Sequence, residues 1–228
     1  MSASLGRFST ERSNFPEVPA LTRRTPKSRH RSDAILASAV AAFRKHGYHG
    51  TSMREIADAL ERTKGSLYYY FDTKAEILFA AHDRALDRML SALERVESSG
   101  APPEEQLREL VVEHVRAIVD GFHGTALALE LDALPATARR RVIAKRDRFE
   151  TGLRRILARC ARTDPDAPTV HLTGFALLGA INWLARWYRP AGALQVDDIG
   201  RFFADLVLAG MRDGPALQTR LAGAQGSK

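Results

Sequence analysis

The stretch KGSLYYYFDTK, Lys64 to Lys74, sets a cation and two small residues beside three consecutive tyrosines. Successive residues on a helix point about 100° apart, so no single buried face holds all three rings. On a helical wheel Leu67 and Phe71 are four apart and anchor to a core, while Lys64, Gly65, Ser66 and Tyr69 share another face. Small residues let a backbone approach a base edge or phosphate closely. A lysine reaches phosphates or the guanine acceptors of a major groove. A phenol hydroxyl bonds a phosphate oxygen and sets register without reading sequence. The competing arrangement packs all three rings against neighbouring helices with wet hydroxyls. Tyr68 suits both readings, whereas the cluster beside Lys64-Gly65-Ser66 favours a duplex.

Helical elements must carry this cluster. SDAILASAVAAFRKHG reads as a first helix, with Ser32 as its cap, Ile35, Leu36, Ala39, Val40 and Phe43 as its apolar stripe and Gly47 at its end. SMREIADAL is the second, with Ser52 and Glu55 at capping-box spacing. The amides near Thr51 and Ser52, at a helix N-terminus, suit a phosphate. SLYYYF is the third, and Thr73 with Glu76 supplies a second box opening a long helix. Three short helices with a tight turn between the last two make a helix-turn-helix pattern. Further helices are expected over 103–120, 123–133, 136–163, 168–189 and 196–212, and no alternating strand pattern appears. The expected fold class is all-α.

Composition narrows the functional classes. The chain has 228 residues, 45% of them hydrophobic, which suffices for one or two cores. One cysteine, Cys160, excludes an intramolecular disulfide; Arg159 and Arg162 beside it could lower its pKa, but helical packing is the favoured reading. No secretory h-region is visible, and the most apolar window, Leu172–Tyr188, is short for a membrane span and carries Asn182 and Arg186. A cytoplasmic location without membrane association is expected. Net charge is +7, unevenly spread: residues 137–159 hold nine basic and two acidic residues, whereas 82–136 hold five basic and eleven acidic. Residues 1–30 read as a disordered basic tail, with a DNA-touching arm as the alternative role. No phosphate loop, nucleophile elbow or metal-spaced Cys/His set occurs, so an enzyme is the weaker reading, and no cofactor is expected. An architectural DNA-binding protein is a third reading, disfavoured by the sizeable apolar C-terminal part.

TSMREIADALERTKGSLYYYFDTKAEIL, Thr51–Leu78, resembles the helix-turn-helix signature of TetR-type transcriptional regulators. The resemblance implies a homodimer with one recognition helix per subunit, bound to a palindromic double-stranded operator. It also implies a C-terminal domain whose small-molecule effector releases the DNA, usually in repression. By motif position it places Thr51, Ser52, Lys64, Gly65, Ser66, Tyr68, Tyr69, Tyr70 and Lys74 at the DNA; Tyr70 stands where a histidine is often found. The implied organisation is a helix-turn-helix domain over 31–76, an effector and dimerisation domain over 77–213 and a flexible tail over 214–228.

Farther along, Arg186-Trp187-Tyr188-Arg189-Pro190-Ala191-Gly192 is similar to a segment joining the last two helices in the subgroup governing fatty-acyl and steroid catabolism, with Ala191 in place of a glycine. That similarity implies an acyl-CoA or related lipid effector. Arg146 and Phe149, with Trp183 and Trp187, would then supply phosphate-binding charge and an apolar slot. Against this, the arginines of 139–159 can simply pair with the acidic helices, and the tryptophans can pack a core or interface. In this family the last two helices commonly form the dimer interface, for which Leu177, Ile181, Leu184, Phe203, Leu206 and Val207 are the candidates.

Overall fold

The structure, a computed structural model, describes residues 26–60, 64–119, 131–189 and 191–212. Eight α-helices cover most of them: α1 (Pro26–Gly50), α2 (Met53–Asp58), α3 (Lys64–Tyr68), α4 (Lys74–Ser98), α5 (Pro103–Val119), α6 (Ala136–Ala161), α7 (Pro168–Trp187) and α8 (Val196–Arg212). A short 3-10 turn, Leu131–Ala133, precedes α6. No strand occurs among the described residues, as the periodicity leads one to expect. The tails 1–25 and 213–228, and most of the helix expected over 123–133, lie outside the described residues.

Two of the sequence-based caps form differently. Helix α1 begins at Pro26, so Ser32 lies within it, and its buried hydroxyl accepts from Arg84 of α4 at 2.7 Å instead of capping. The arginine, recruited from α4, turns the polar residue into a tether. Thr73 does cap α4 by accepting from Glu76 N at 3.1 Å, but Glu76 in return accepts from Asp72 N rather than from Thr73. At Gly47 the α1 backbone takes φ 73°, a value glycine tolerates, and the helix proper ends there.

The α1–α4 head closes over Leu36, Val40, Phe43, Ile56, Leu67, Phe71, Ile77 and Leu78, all buried. Helix α4 leaves this head and continues into the second half of the chain, where α6 runs beside it in the same direction. Arg141 lies over the Phe79 ring, Lys145 reaches Asp83 at 2.6 Å and Asp87 at 2.5 Å, and Arg155 reaches Glu97 at 2.9 Å. The opposite charges of 82–136 and 137–159 therefore meet along one seam. Helix α8 runs antiparallel to α5, joined by Arg108–Asp205 at 2.7 Å and Arg116–Asp197 at 2.5 Å. Between those pairs Gly200 lets the two backbones approach: a Cβ there would sit 2.7 Å from Val112 Cα.

Candidate nucleic-acid interface and ligand cavity

Helix α2, which precedes α3, opens on hydrogen bonds predictable from the local sequence. Ser52 Oγ accepts from Glu55 N at 3.2 Å, and Glu55 Oε2 accepts from Ser52 N at 2.6 Å, the expected capping box. The amide bond from Ser52 holds the Glu55 carboxyl below its ordinary pKa. Leu67 and Phe71 pin α3 to the core, with Tyr70 N and Phe71 N both donating to Leu67 O.

The three tyrosines then separate as the wheel requires. Tyr69 is 78% exposed, Tyr68 is 40% exposed, and Tyr70 is half-buried against the core with its ring edge-on to Tyr69 at 5.2 Å. Gly65 is exposed, with open space where a side chain would project. Lys64 belongs to α3, as does Ser66, but their side chains lie outside what is described.

Of the motif-derived positions, Thr51 and Lys74 are engaged inside the chain, and Ser52, though exposed, has its amide bonded within the chain. Thr51 is buried, its hydroxyl donating to Gly47 O at 2.8 Å and its amide to Tyr48 O at 3.3 Å. The Ser52 amide is taken by Glu55, so neither of these two amides is open to a phosphate. Lys74 Nζ donates to Tyr48 O at 2.5 Å and Thr51 O at 2.8 Å, and stands 4.3 Å from the Tyr48 ring centroid. The ammonium thus fastens α4 to the end of α1 and the loop before α2. Backbone carbonyls have no residue-type signature, so motif position alone does not reveal this bond.

In the C-terminal half a cavity of ≈ 190 Å³ opens between three helices. Helix α4 contributes Arg88, Met89 and Ala92, and α5 contributes Leu110, Glu113, His114, Arg116 and Ala117. Phe149 of α6 closes it and meets the His114 ring edge-on at 5.5 Å. His114 is buried, which pushes its pKa down to about 4. Sequence reasoning passed over this residue. Its signal was a histidine within the apolar stripe Leu110, Val111, Val115 and Ile118.

Of the four residues suggested for a ligand, Phe149 alone lines this cavity. Arg146, one helical turn before it, is half-buried, and burial lowers its pKa. Trp183 and Trp187 are exposed on α7 and do not line this cavity. At least five of the eight arginines of α6 are paired: Arg139 with Asp132, Arg148 with Glu94, Arg154 with Asp166, Arg155 with Glu97 and Arg159 with Gln106. Cys160 packs against the core, and burial raises its thiol to about 11 rather than the neighbouring arginines lowering it.

The interface candidates divide by face. Leu177, Ile181 and Leu184 are at most 2% exposed, inside this chain's own core, so an interface role for them is corrected. Phe203 and Val207 are half-buried against that core. Leu206 is exposed, and with it stand Phe202 on α8 and Leu172, Phe175, Trp183 and Trp187 on α7. Spacings of three, eight and four residues on α7, and of four on α8, make one outward apolar stripe per helix. Helix α7 is apolar on two faces, one covered and one open, and residue type does not say which is which. No helix among the described residues is long and apolar enough to cross a membrane, and no group of three or more His, Cys, Asp or Glu there could hold a metal ion.

A helix-turn-helix head with an exposed phenol face, carried on a helical body with a cavity and an open apolar face, defines a regulator of the helix-turn-helix class. Residues 35–81 match the family model described as bacterial regulatory proteins, tetR family, and residues 100–211 match the one described as tetracyclin repressor-like, C-terminal domain. The chain is 28% identical over 195 residues to the HTH-type transcriptional repressor KstR2 of Rhodococcus jostii (strain RHA1), covering 81% of this chain and 92% of that one. It is 34% identical to the solved TetR family transcriptional regulator PfmR of Thermus thermophilus, with a TM-score of 0.66, covering 77% of this chain and 97% of that one. It is also similar to AibR solved in complex with isovaleryl coenzyme A and operator DNA, at 28% identity and a TM-score of 0.61, covering 79% and 97%. The chain belongs to the TetR family of transcriptional regulators.

Proposed function

We propose that this regulator is a dimeric repressor that leaves a palindromic operator when an acyl-CoA or related lipid thioester binds its C-terminal half. The observation that carries the DNA part is the α3 face, where Tyr69 stands 78% exposed beside open Gly65 on a helix braced by Leu67 and Phe71. Tyr69 and Tyr68 would hold phosphates, Lys64 and Ser66 would approach the groove, and Tyr70 would support Tyr69 from behind. Thr51, Ser52 and Lys74 would act by shaping the turn. The exposed stripes of α7 and α8 would pair two subunits, with Leu206 and Phe202 central and Phe203 and Val207 at the edge. Dimerisation sets the separation of the two recognition helices and hence the half-site spacing.

Support for the effector class comes from the KstR2 and AibR likenesses and from the cavity between α4, α5 and α6. Helix α4 is the connecting lever. Met89, in the cavity wall, lies about 22 Å along the helix from Lys74 at a rise of 1.5 Å per residue. A ligand that shifts α4 at Met89 carries Lys74 with it, and through Lys74 the carbonyls of Tyr48 and Thr51. A small rotation of each head would cost one half-site. The organisation would be a head over 31–76 and an effector and dimerisation part over 77–213, acting in the cytoplasm.

The test is a footprint on the DNA flanking the protein's own gene, repeated with free CoA and with acyl-CoAs of different chain types. The reading requires a protected pseudo-palindrome that one class of acyl-CoA releases and free CoA does not. Sequence-indifferent, salt-sensitive coating of DNA would instead favour an architectural protein.

A further inference from the structure

One turn of α4 is bonded on two sides where the head meets the second half of the chain. On one side Arg84 reaches back to α1: one guanidinium nitrogen donates to the buried Ser32 hydroxyl at 2.7 Å, and another pairs with Asp33. On the other side Asp83 and Asp87 hold Lys145 of α6 at 2.6 and 2.5 Å. Arg84, Asp83 and Lys145 are all half-buried, so this turn is a charged junction of three helices rather than a solvated face. Partly exposed ion pairs contribute little to stability, and the significance of this one is its geometry. The apolar cluster containing Leu36, Phe43, Ile77 and Leu78 keeps the head on α4 but is non-directional. A guanidinium fork with two acceptors fixes orientation as well as distance. Lys74, about 15 Å nearer the start of α4 at 1.5 Å per residue, fastens the other end of α1. One attachment lets α1 swing about it, whereas two set its direction.

Resting on the reading of a dimer on a two-half-site operator, we propose that Arg84 is a positioning residue that sets the angle of each head on α4. With that angle it sets the half-site spacing the dimer accepts. Because the same turn of α4 is bonded to α6, the angle is referred to the half of the chain that carries the α7 and α8 faces. A base pair inserted between the half-sites turns one of them by about 35° and moves it by about 3.4 Å. A head held at one angle meets that displaced half-site poorly. A head held by Lys74 and apolar packing alone swings to follow it.

Full-length wild type would select duplexes from a random pool, which gives the half-site and its spacing. Affinity would then be measured on the selected duplex and on the same duplex lengthened or shortened by one base pair between the half-sites. The wild type should bind the altered duplexes about tenfold or more weakly. In Arg84→Met, which keeps the aliphatic stem and removes the fork, that ratio should fall to about threefold or less. A loss of stability alone lowers affinity for all three duplexes together and leaves the ratio where it was. If Arg84→Met does not fold, Asp33→Ala removes one acceptor of the fork at a side chain that is 54% exposed, and the ratio should fall in the same direction. An unchanged ratio in the folded variant, or a wild type indifferent to spacing, would overturn the inference while the dimeric-operator reading stands. Selection of single half-sites, or of no sequence at all, would contradict that reading itself.

Discussion

Replacing Lys74 with methionine separates two roles that a motif alone cannot tell apart. In the structure the ammonium donates to Tyr48 O and Thr51 O and lies over the Tyr48 ring. A hydrogen bond from a charged donor contributes about 1.5–3 kcal/mol and an exposed cation–π contact about 0.5–1 kcal/mol. The residue is half-buried, so water recovers part of this, and about 2–4 kcal/mol should be lost. For a chain of this size that corresponds to roughly 4–16 °C in Tm. Operator affinity should fall as well, because α4 no longer holds the α1–α2 junction. The slope of log affinity against log salt should stay as it is, since no phosphate contact has been removed. Had Lys74 been a phosphate ligand, the slope would drop by about 0.9 per contact with Tm unmoved. Calorimetric melting together with operator binding across a salt series reads both quantities. An unchanged Tm with a reduced slope would refute the fastening role.

Three other outcomes follow from the geometry. His114 has a folded pKa of about 4 against an ordinary value near 6.5, so the unfolded chain takes up the proton first. Stability should be full above pH 6.5 and fall as pH drops toward 4, by about 3 kcal/mol; denaturant titrations should show this loss in the wild type and not in His114→Phe. Gly200→Ala places a methyl 2.7 Å from Val112 Cα, a backbone atom that moves only if α5 moves; overpacking of about 1–3 kcal/mol exceeds the helix-propensity gain of about 1 kcal/mol, so Tm should fall. Phe202→Asp alters a side chain 64% exposed in the monomer, so it should leave the fold intact and shift sedimentation from dimer to monomer.

Much of the head was legible because its determinants are local. The Ser52–Glu55 box, Gly47 and the Leu67–Phe71 pair each depend on residues within one turn of helix, and each forms as read. The misread positions depend on distant partners. Ser32, inside a helix that starts at Pro26, accepts from Arg84, 52 residues away, and Lys74 bonds a carbonyl 26 residues away. On α7 the apolar residues cover two faces, so Leu177, Ile181 and Leu184 were not separable from Trp183 and Trp187 by type. The division appears only when α5 and α6 cover one side. His114 went unnoticed because a lone histidine in an apolar stripe acquires meaning only from the cavity beside it.

The central claim is that the exposed phenol face of α3 holds operator DNA. Its most direct test is operator affinity of Tyr69→Ala at fixed salt, measured on protein shown to melt and dimerise as the wild type does. The account predicts weakening of about tenfold or more, with Tm unchanged, because the side chain makes its principal contact outside the monomer. Normal protection of the site by that variant would contradict it.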